Sequence, residues 1–186
     1  MEFKVEMLRV FEMTDLGLMS FFLGMEVKQD HGGVFICQKK YEREILKKFR
    51  MEDCKSIATP MNQREKISKD DRADKVEEHQ FRSLIGCLMY LTATRSDIMF
   101  AVSMLSRFKR CASEMHLQAV KWIVRYVKGT VDYGVKYTHS QNFQFHGYSD
   151  SDWGGSIDDM KSTTCYCFSF GSGMFSWSSK KQDIVA

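Results

Sequence analysis

Polar and apolar positions along the chain change period twice, and each change marks a different kind of structure. Residues 5–15 read as a short helix or its end. The stretch LMSFFLGMEVKQD, 18–30, then carries a strand signal with Gly24 in its middle. A glycine inside a strand marks a bulge or a close backbone approach. The turn residues DHGG lead into VFICQ, so 21–38 predicts a β-hairpin. In KYEREILKKF, 40–49, Tyr41, Ile45, Leu46 and Phe49 recur at helical spacing. Residues 50–77 are polar and broken, and predict a connection across the surface.

Helical periodicity dominates the middle of the chain. Phe81, Leu84, Ile85, Leu88 and Leu91 form one apolar stripe. Ile98, Ala101, Val102, Leu105 and Phe108 form a second, with Ser96 placed as an N-cap. Ala119, Val120, Ile123, Val124 and Val127 form a third, with Gly129 as a C-terminal stop. Beyond residue 140 the period becomes two. Phe143 and Phe145 share one strand face, and His146 and Tyr148 the other. TTCYCFSFGSGMFSWSS predicts two strands joined by Gly171-Ser172-Gly173, with Phe175 and Trp177 on one face of the second. Residues 141–179 therefore predict a meander of three antiparallel strands, and the chain as a whole an α+β fold.

Composition narrows the class. Of 186 residues, 44% are hydrophobic and 27% charged, as in ordinary globular proteins. No apolar run reaches the roughly 18 residues of a membrane span, and the first residues do not form a secretory signal. The six cysteines form no CxxC pair, and the histidines lack zinc-ligand spacing. Free thiols and an intracellular location are expected, cytoplasm and nucleus being equally compatible. The net charge of +3 conceals a gradient. Residues 61–140 carry fourteen basic and nine acidic side chains, and residues 141–186 three and five. A basic middle beside an acidic end fits a nucleic-acid surface next to a cation site, and equally a solvated charge pattern.

Two clusters are candidates for chemistry. Lys121, Arg125 and Lys128 share one helix face and could follow a phosphate backbone, or simply face solvent. In HGYSDSDWGGSIDDMKS, 146–162, Asp150 and Asp152 point the same way if the strand continues, which allows a weak cation site. Gly154 and Gly155 signal a turn instead, with Asp158 and Asp159 in the loop beyond it.

Ten segments, in order, carry a resemblance: FEMTDLG (11–17), FFLGMEV (21–27), KYEREILKKFRM (40–51), ATPM (58–61), FRSLIGCLMYLTATRSDI (81–98), AVSMLSRF (101–108), RYVKGT (125–130), GYSDSDWGG (147–155), DDMKSTTCY (158–166) and SWSSKKQ (176–182). Together they resemble the pol polyprotein of copia-type long-terminal-repeat retrotransposons, from the late reverse transcriptase palm into ribonuclease H. The resemblance implies three regions. Residues 1–57 would be a palm remnant with a primer-grip-like hairpin. Residues 58–140 would form a helical thumb- or connection-like region, and 141–186 the first strands of an incomplete ribonuclease H-like domain. Phe22, Leu23, Gly24 and Met25 would then sit at the grip's tip, with Gly24 letting the backbone approach nucleic acid. Lys121, Arg125 and Lys128 would hold an RNA–DNA duplex by its phosphates, without reading sequence. Asp150 would match the leading metal-ligand carboxylate.

The chain departs from the family pattern at three places. Ser96 stands where the family has proline, Thr164-Cys165 where it has Ser-Gly, and Phe81 where it has tyrosine. The parent activities, RNA-directed DNA synthesis and hybrid cleavage, both use paired Mg²⁺ ions held by several converging carboxylates. No Tyr-x-Asp-Asp occurs in the sequence, and the SSTEAEY-type helix that would bring the next ribonuclease H ligand is absent. The expectation is a fragment that is catalytically inactive alone and binds no Mg²⁺ tightly. The alternative is a non-enzymatic module that binds hybrid duplex weakly and salt-dependently, with no membrane or small-molecule partner. Nuclease activity through Asp150 and its neighbours ranks last.

Overall fold

The computed structural model describes residues 2–62, 67–139 and 143–185. Positions 63–66 of the expected connection and 140–142 before the expected meander lie outside them. Elements follow in the order α1 (Glu2–Val10), β1 (Phe21–Phe22), β2 (Met25–Asp30), β3 (Gly33–Cys37), α2 (Lys39–Lys48), α3 (Glu78–Leu91), a 3-10 turn (Ser96–Ile98), α4 (Met99–Ser106), α5 (Glu114–Gly129), β4 (Gly134–Thr138), β5 (Phe145–Ser151), β6 (Thr163–Phe170) and β7 (Gly173–Lys181). The strands form two antiparallel sheets, in the orders β1-β2-β3-β4 and β5-β6-β7. The α+β class is therefore observed. Among the described residues no helix is long and apolar enough to cross a membrane.

The apolar stripes read from helical spacing meet in one core. Ile45 and Leu46 of α2, Phe81, Leu84, Ile85, Leu88 and Leu91 of α3, Leu105 of α4, and Val120, Ile123, Val124 and Val127 of α5 are all buried there. At roughly 1.5–3 kcal/mol for each large apolar side chain removed from water, this cluster is the main source of stability. Phe81 is fully enclosed, so an added tyrosine hydroxyl would need a buried partner.

Four local expectations are corrected. Gly24 does not bulge a strand: Leu23 and Gly24 both adopt positive φ, 47° and 75°, and close a two-residue turn between β1 and β2. Positive φ at both turn positions matches the twist of the strands it joins. Ser96 opens the 3-10 turn; Arg95 occupies the cap position and no side chain caps it. The pattern also hid β4, which pairs with β3 from Gly33↔Thr138 to Cys37↔Gly134. Phe175 and Trp177 finally face opposite ways. The register slips between Phe168 and Ser169, leaving Phe175 opposite no residue. One extra residue flips every side chain beyond it. Trp177 consequently pairs with Cys167 and donates to the Thr92 carbonyl at 2.9 Å, while Phe175 stays beside Phe168 and Phe145.

The second sheet rests on the helices by a few polar contacts. Ser103 of α4 donates to the Ser179 carbonyl at 2.7 Å, and Arg107 to Thr163 Oγ1 at 2.8 Å. Its far corner meets β4, where the Tyr137 hydroxyl donates to the Met174 carbonyl at 2.7 Å. The first sheet is joined to α2 by Glu26, whose carboxylate accepts from the Lys40 amide at 2.7 Å.

Candidate nucleic-acid interface

The hairpin tip is held from behind and open in front. Tyr90 of α3 donates its hydroxyl to the Leu23 carbonyl. A Cβ on Gly24 would lie 2.2 Å from that hydroxyl oxygen, so glycine is needed both for the turn and for the clearance. The close approach expected at Gly24 is thus filled by Tyr90. Phe22 and Leu23 are 52% and 67% exposed, and Met25 is half-buried. Such large exposed apolar groups, fixed at a turn, form a surface suited to contact.

Lys121, Arg125 and Lys128 do not act as one free face. Arg125 Nε donates to the Lys55 carbonyl at 2.8 Å, and its guanidinium lies over the Trp122 ring. Lys128 Nζ donates to the Cys54 carbonyl at 2.5 Å. Both cations clasp the loop after α2, helped by Trp122 donating to the Thr59 carbonyl at 2.8 Å. Gly129 belongs to this clasp, since a Cβ there would meet Ser56 at 3.1 Å. Lys121 alone of the three is exposed.

Another row of cations stands on α2, legible in the spacing but not singled out by it. Lys40, Arg43 and Lys47 follow one another at i, i+3 and i+7, on the side of α2 opposite Ile45 and Leu46, and all three are exposed. Across the first sheet, Lys28, Phe35 and Lys136 sit directly opposite one another, so both exposed lysines share a face. A cleft of about 370 Å³ is lined by Lys39, Arg43, Lys128, Glu52 and Asp132. Lys39 pairs with Asp132 and holds its carboxyl below the usual range.

The acidic loop resolves into separate tasks. Asp150 is exposed on β5 opposite Cys165, and lines a cavity of about 310 Å³ together with Asp97 and Trp177. Asp152 Oδ1 accepts from the amides of Thr163 at 2.7 Å and Gly155 at 3.3 Å, locking the loop between β5 and β6. Asp158 accepts from the Lys69 amide at 3.0 Å. Asp159 pairs with Lys181 at 2.5 Å, and this hydrogen-bonded lysine pulls its carboxyl down to about 2. Among the described residues no group of three His, Cys, Asp or Glu side chains is arranged to hold a metal ion. A two-ion Mg²⁺ centre needs such convergence, and these residues do not fit one.

Two buried polar clusters escaped the pattern entirely. Arg95, 1% exposed, donates to Glu42 Oε1 at 2.5 Å, to both Asp97 oxygens at 2.8 and 2.9 Å, and to the carbonyl and hydroxyl of Thr130. Tyr126 also donates to Asp97, at 2.8 Å. This network joins α2, the 3-10 turn and the end of α5. Burial pushes the Glu42 carboxyl up to about 7 against the pull of Arg95, and its Oε2 has no hydrogen-bond partner among the described residues. Glu42 lies three residues before Ile45 on the buried side of α2, which was its only signal.

The second cluster brings together Ser113, His116 and Asp71, the residue types of a hydrolytic triad. Its geometry is that of a helix cap. Ser113 Oγ accepts from the His116 amide at 3.3 Å, while His116 Nδ1 accepts from the Ser113 amide at 3.0 Å. Ser113 Oγ donates to Asp71. With Nδ1 serving as an acceptor and both side chains fully enclosed, the imidazole cannot relay a proton from the serine to a substrate. The arrangement fixes the start of α5.

Sequence comparison places this architecture among mobile-element proteins. Residues 1–63 match the family model described as "Reverse transcriptase (RNA-dependent DNA polymerase)". The chain is 37% identical over 175 residues to the retrovirus-related Pol polyprotein from transposon RE1 of Arabidopsis thaliana, covering 94% of this chain and 12% of that one. It is 36% identical to the corresponding polyprotein from transposon TNT 1-94 of Nicotiana tabacum, covering 98% of this chain and 14% of that one. An uncharacterized mitochondrial protein of Arabidopsis thaliana, AtMg00810, is 35% identical over 95% of this chain and 73% of its own length. The chain belongs to the copia-type retrotransposon Pol family. It spans about an eighth of the length of the Pol polyproteins it matches. No solved structure matches it.

Proposed function

We propose that this chain is a segment of a copia-type Pol polyprotein that holds primer–template duplex, an RNA–DNA hybrid, and supplies no complete catalytic centre of its own. The observation that carries the reading is the exposed apolar tip of Phe22 and Leu23, joined through Glu26 to the α2 helix that bears Lys40, Arg43 and Lys47. Apolar contact at a strand end beside a row of phosphate-binding cations is what duplex positioning requires, and it reads no sequence. Lys28 and Lys136 on the first sheet and Lys121 on α5 are further exposed cations available to the same duplex in this reading, while Arg125 and Lys128 hold the loop after α2. In this reading β5, β6 and β7 are the opening strands of a ribonuclease H-like sheet. Asp150 is the single carboxylate it brings toward hybrid cleavage, and Asp152 shapes the adjoining loop.

The test is fluorescence anisotropy with a labelled RNA–DNA hybrid at several salt concentrations. Binding should weaken steeply as salt rises and differ little between sequences. Changing Lys40, Arg43 and Lys47 together to Ala should lower affinity at low salt and flatten the salt slope by about three. Phe22→Ala should weaken binding and leave the slope unchanged. No measurable affinity for hybrid at low salt, or a triple variant that binds like the parent, would refute the proposal.

A further inference from the structure

The hairpin tip and the α2 cations are held by one face of one helix. Ser83, Cys87 and Tyr90 follow one another along α3 at i, i+4 and i+7, so they share a face. Onto that face α2 is seated. Lys48 Nζ donates to Ser83 Oγ at 3.0 Å, and the Tyr41 hydroxyl donates to the Cys87 carbonyl at 3.4 Å. The Tyr41 and Tyr90 rings meet edge to face, with centroids 4.9 Å apart. The Tyr90 hydroxyl then reaches the turn and donates to the Leu23 carbonyl. One tyrosine therefore touches both halves of the proposed duplex surface. Its ring meets the helix that carries Lys40, Arg43 and Lys47, and its hydroxyl meets the turn that carries Phe22 and Leu23.

The turn depends on such a tether. β1 is two residues long, and two paired residues give a strand end little rigidity of their own. Among the described residues no other hydrogen bond runs from residues 21–25 to a helix. Turn and tyrosine are also fitted to each other, since any side chain at position 24 would take the place of the hydroxyl. A tip free to move must be ordered when duplex binds, and that ordering subtracts from affinity. A tip already fixed beside the cations escapes most of that cost.

We propose that Tyr90 is a positioning residue for duplex binding, holding the Phe22-Leu23 tip at a set offset from the α2 cations. The inference rests on the duplex-holding reading above and names the residue that joins its two halves. Tyr90 acts through Leu23 and not by contact with nucleic acid.

The test is a double-mutant cycle between Tyr90→Phe and the tip variant Phe22→Ala with Leu23→Ala, read by anisotropy with labelled RNA–DNA hybrid. Tyr90→Phe keeps the ring against Tyr41 and deletes the bond to Leu23. Tyr90 is 42% exposed, so the change opens no core, and circular dichroism should match the parent. Hybrid binding should weaken about fivefold, the worth of one typical hydrogen bond, with the salt slope unchanged. In the tip-variant background the same change should cost less than about twofold, because the element it positions has lost its contact. Without nucleic acid, hydrogen exchange over residues 21–26 should quicken about fivefold and stay unchanged in α3. Equal losses in both backgrounds would make Tyr90 a contact in its own right and overturn the proposal. Full affinity in Tyr90→Phe, or unchanged exchange at the turn, would overturn it too. All of these outcomes leave the duplex-holding reading standing. That reading fails separately, when the parent has no affinity for hybrid or the tip variant binds like the parent, and the positioning role falls with it.

Discussion

The helical middle and the second sheet obey opposite rules of construction. In α2 to α5 every predicted stripe packs into one core, with Tyr41, Phe49 and Ala119 half-buried at its margin, and the charges inside are paired. In β5 to β7 no large apolar side chain is fully buried, and the aromatic row stands in solvent: Phe145 is 60% exposed and Phe170 50%. Its rings lie near one another, with Phe145 and Phe168 centroids 5.6 Å apart, and Phe143 stacks on Phe170 at 5.4 Å, yet among the described residues no element of the helical core packs over them. Helices here close around their own apolar faces, whereas this sheet supplies one face to a core that needs a second layer. Amphipathic spacing thus predicts which positions are apolar on one side, and tertiary packing decides whether that side is covered.

The contrast breaks most sharply at Arg95. Arg95→Ala leaves Glu42 and Asp97 enclosed without their cation, which should cost about 4 kcal/mol. A urea titration followed by circular dichroism should show loss of the helical transition. A stable helical domain in that variant would mean the network is dispensable.

Equivalent truncations in the two regions should differ by nearly as much. Leu88→Ala removes a fully enclosed side chain from α3 and should cost about 3 kcal/mol. Phe145→Ser should cost less than about 0.5 kcal/mol, as exposed positions generally do. Thermal unfolding midpoints of the two variants measure the contrast directly, and equal losses would place the sheet inside the same core.

A pH dependence sharpens the view of the helical region. The Glu42 carboxyl, ordinarily near 4.5, is raised to about 7 by burial. The native state then binds more protons than the unfolded state between those values. The resulting stability is complete below about 4.5 and is lost as pH rises through about 7. Asp97 moves the other way: burial opposes it, but Arg95 holds it below its ordinary 3.8, so its contribution fades only in stronger acid. Relative to Glu42→Gln, the parent should therefore lose about 3 kcal/mol between pH 4.5 and 8, since each tenfold difference in proton affinity between the two states is worth about 1.4 kcal/mol. A difference that stays flat over this range would show that Arg95 keeps Glu42 ionised throughout.

The smallest effect concerns the join between the regions. Trp177→Phe deletes the donor to the Thr92 carbonyl and should cost about 1 kcal/mol. Hydrogen exchange should quicken in β7 and not in α3. An equal change in both would make sheet and helices one cooperative unit.

Much of this architecture was legible in the residue order. The helical stripes, the hairpin and the three-strand meander all follow from spacing, because a period of 3.6 or 2 dictates which side chains share a face. The turn at Leu23-Gly24 and the slip beside Phe175 were not, since a single residue's φ or one unpaired position leaves the period almost unchanged. The two sequence-marked candidate groups, the α5 cations and the acidic loop, were visible as charges but not as contacts. Arg125 and Lys128 reach carbonyls about 70 positions away in the chain, and Asp152, Asp158 and Asp159 each find a separate partner.

By itself the sequence determined the membership in the copia-type Pol family and the faces of its helices and strands, because both are recorded in local order. Only the tertiary structure decided that Arg95 is a buried hub, that Tyr90 fills the space behind Gly24, and that Arg125 and Lys128 clasp the loop after α2. Each of these depends on what arrives from a distant part of the chain, and a polar group's fate follows from the partners that reach it before water does.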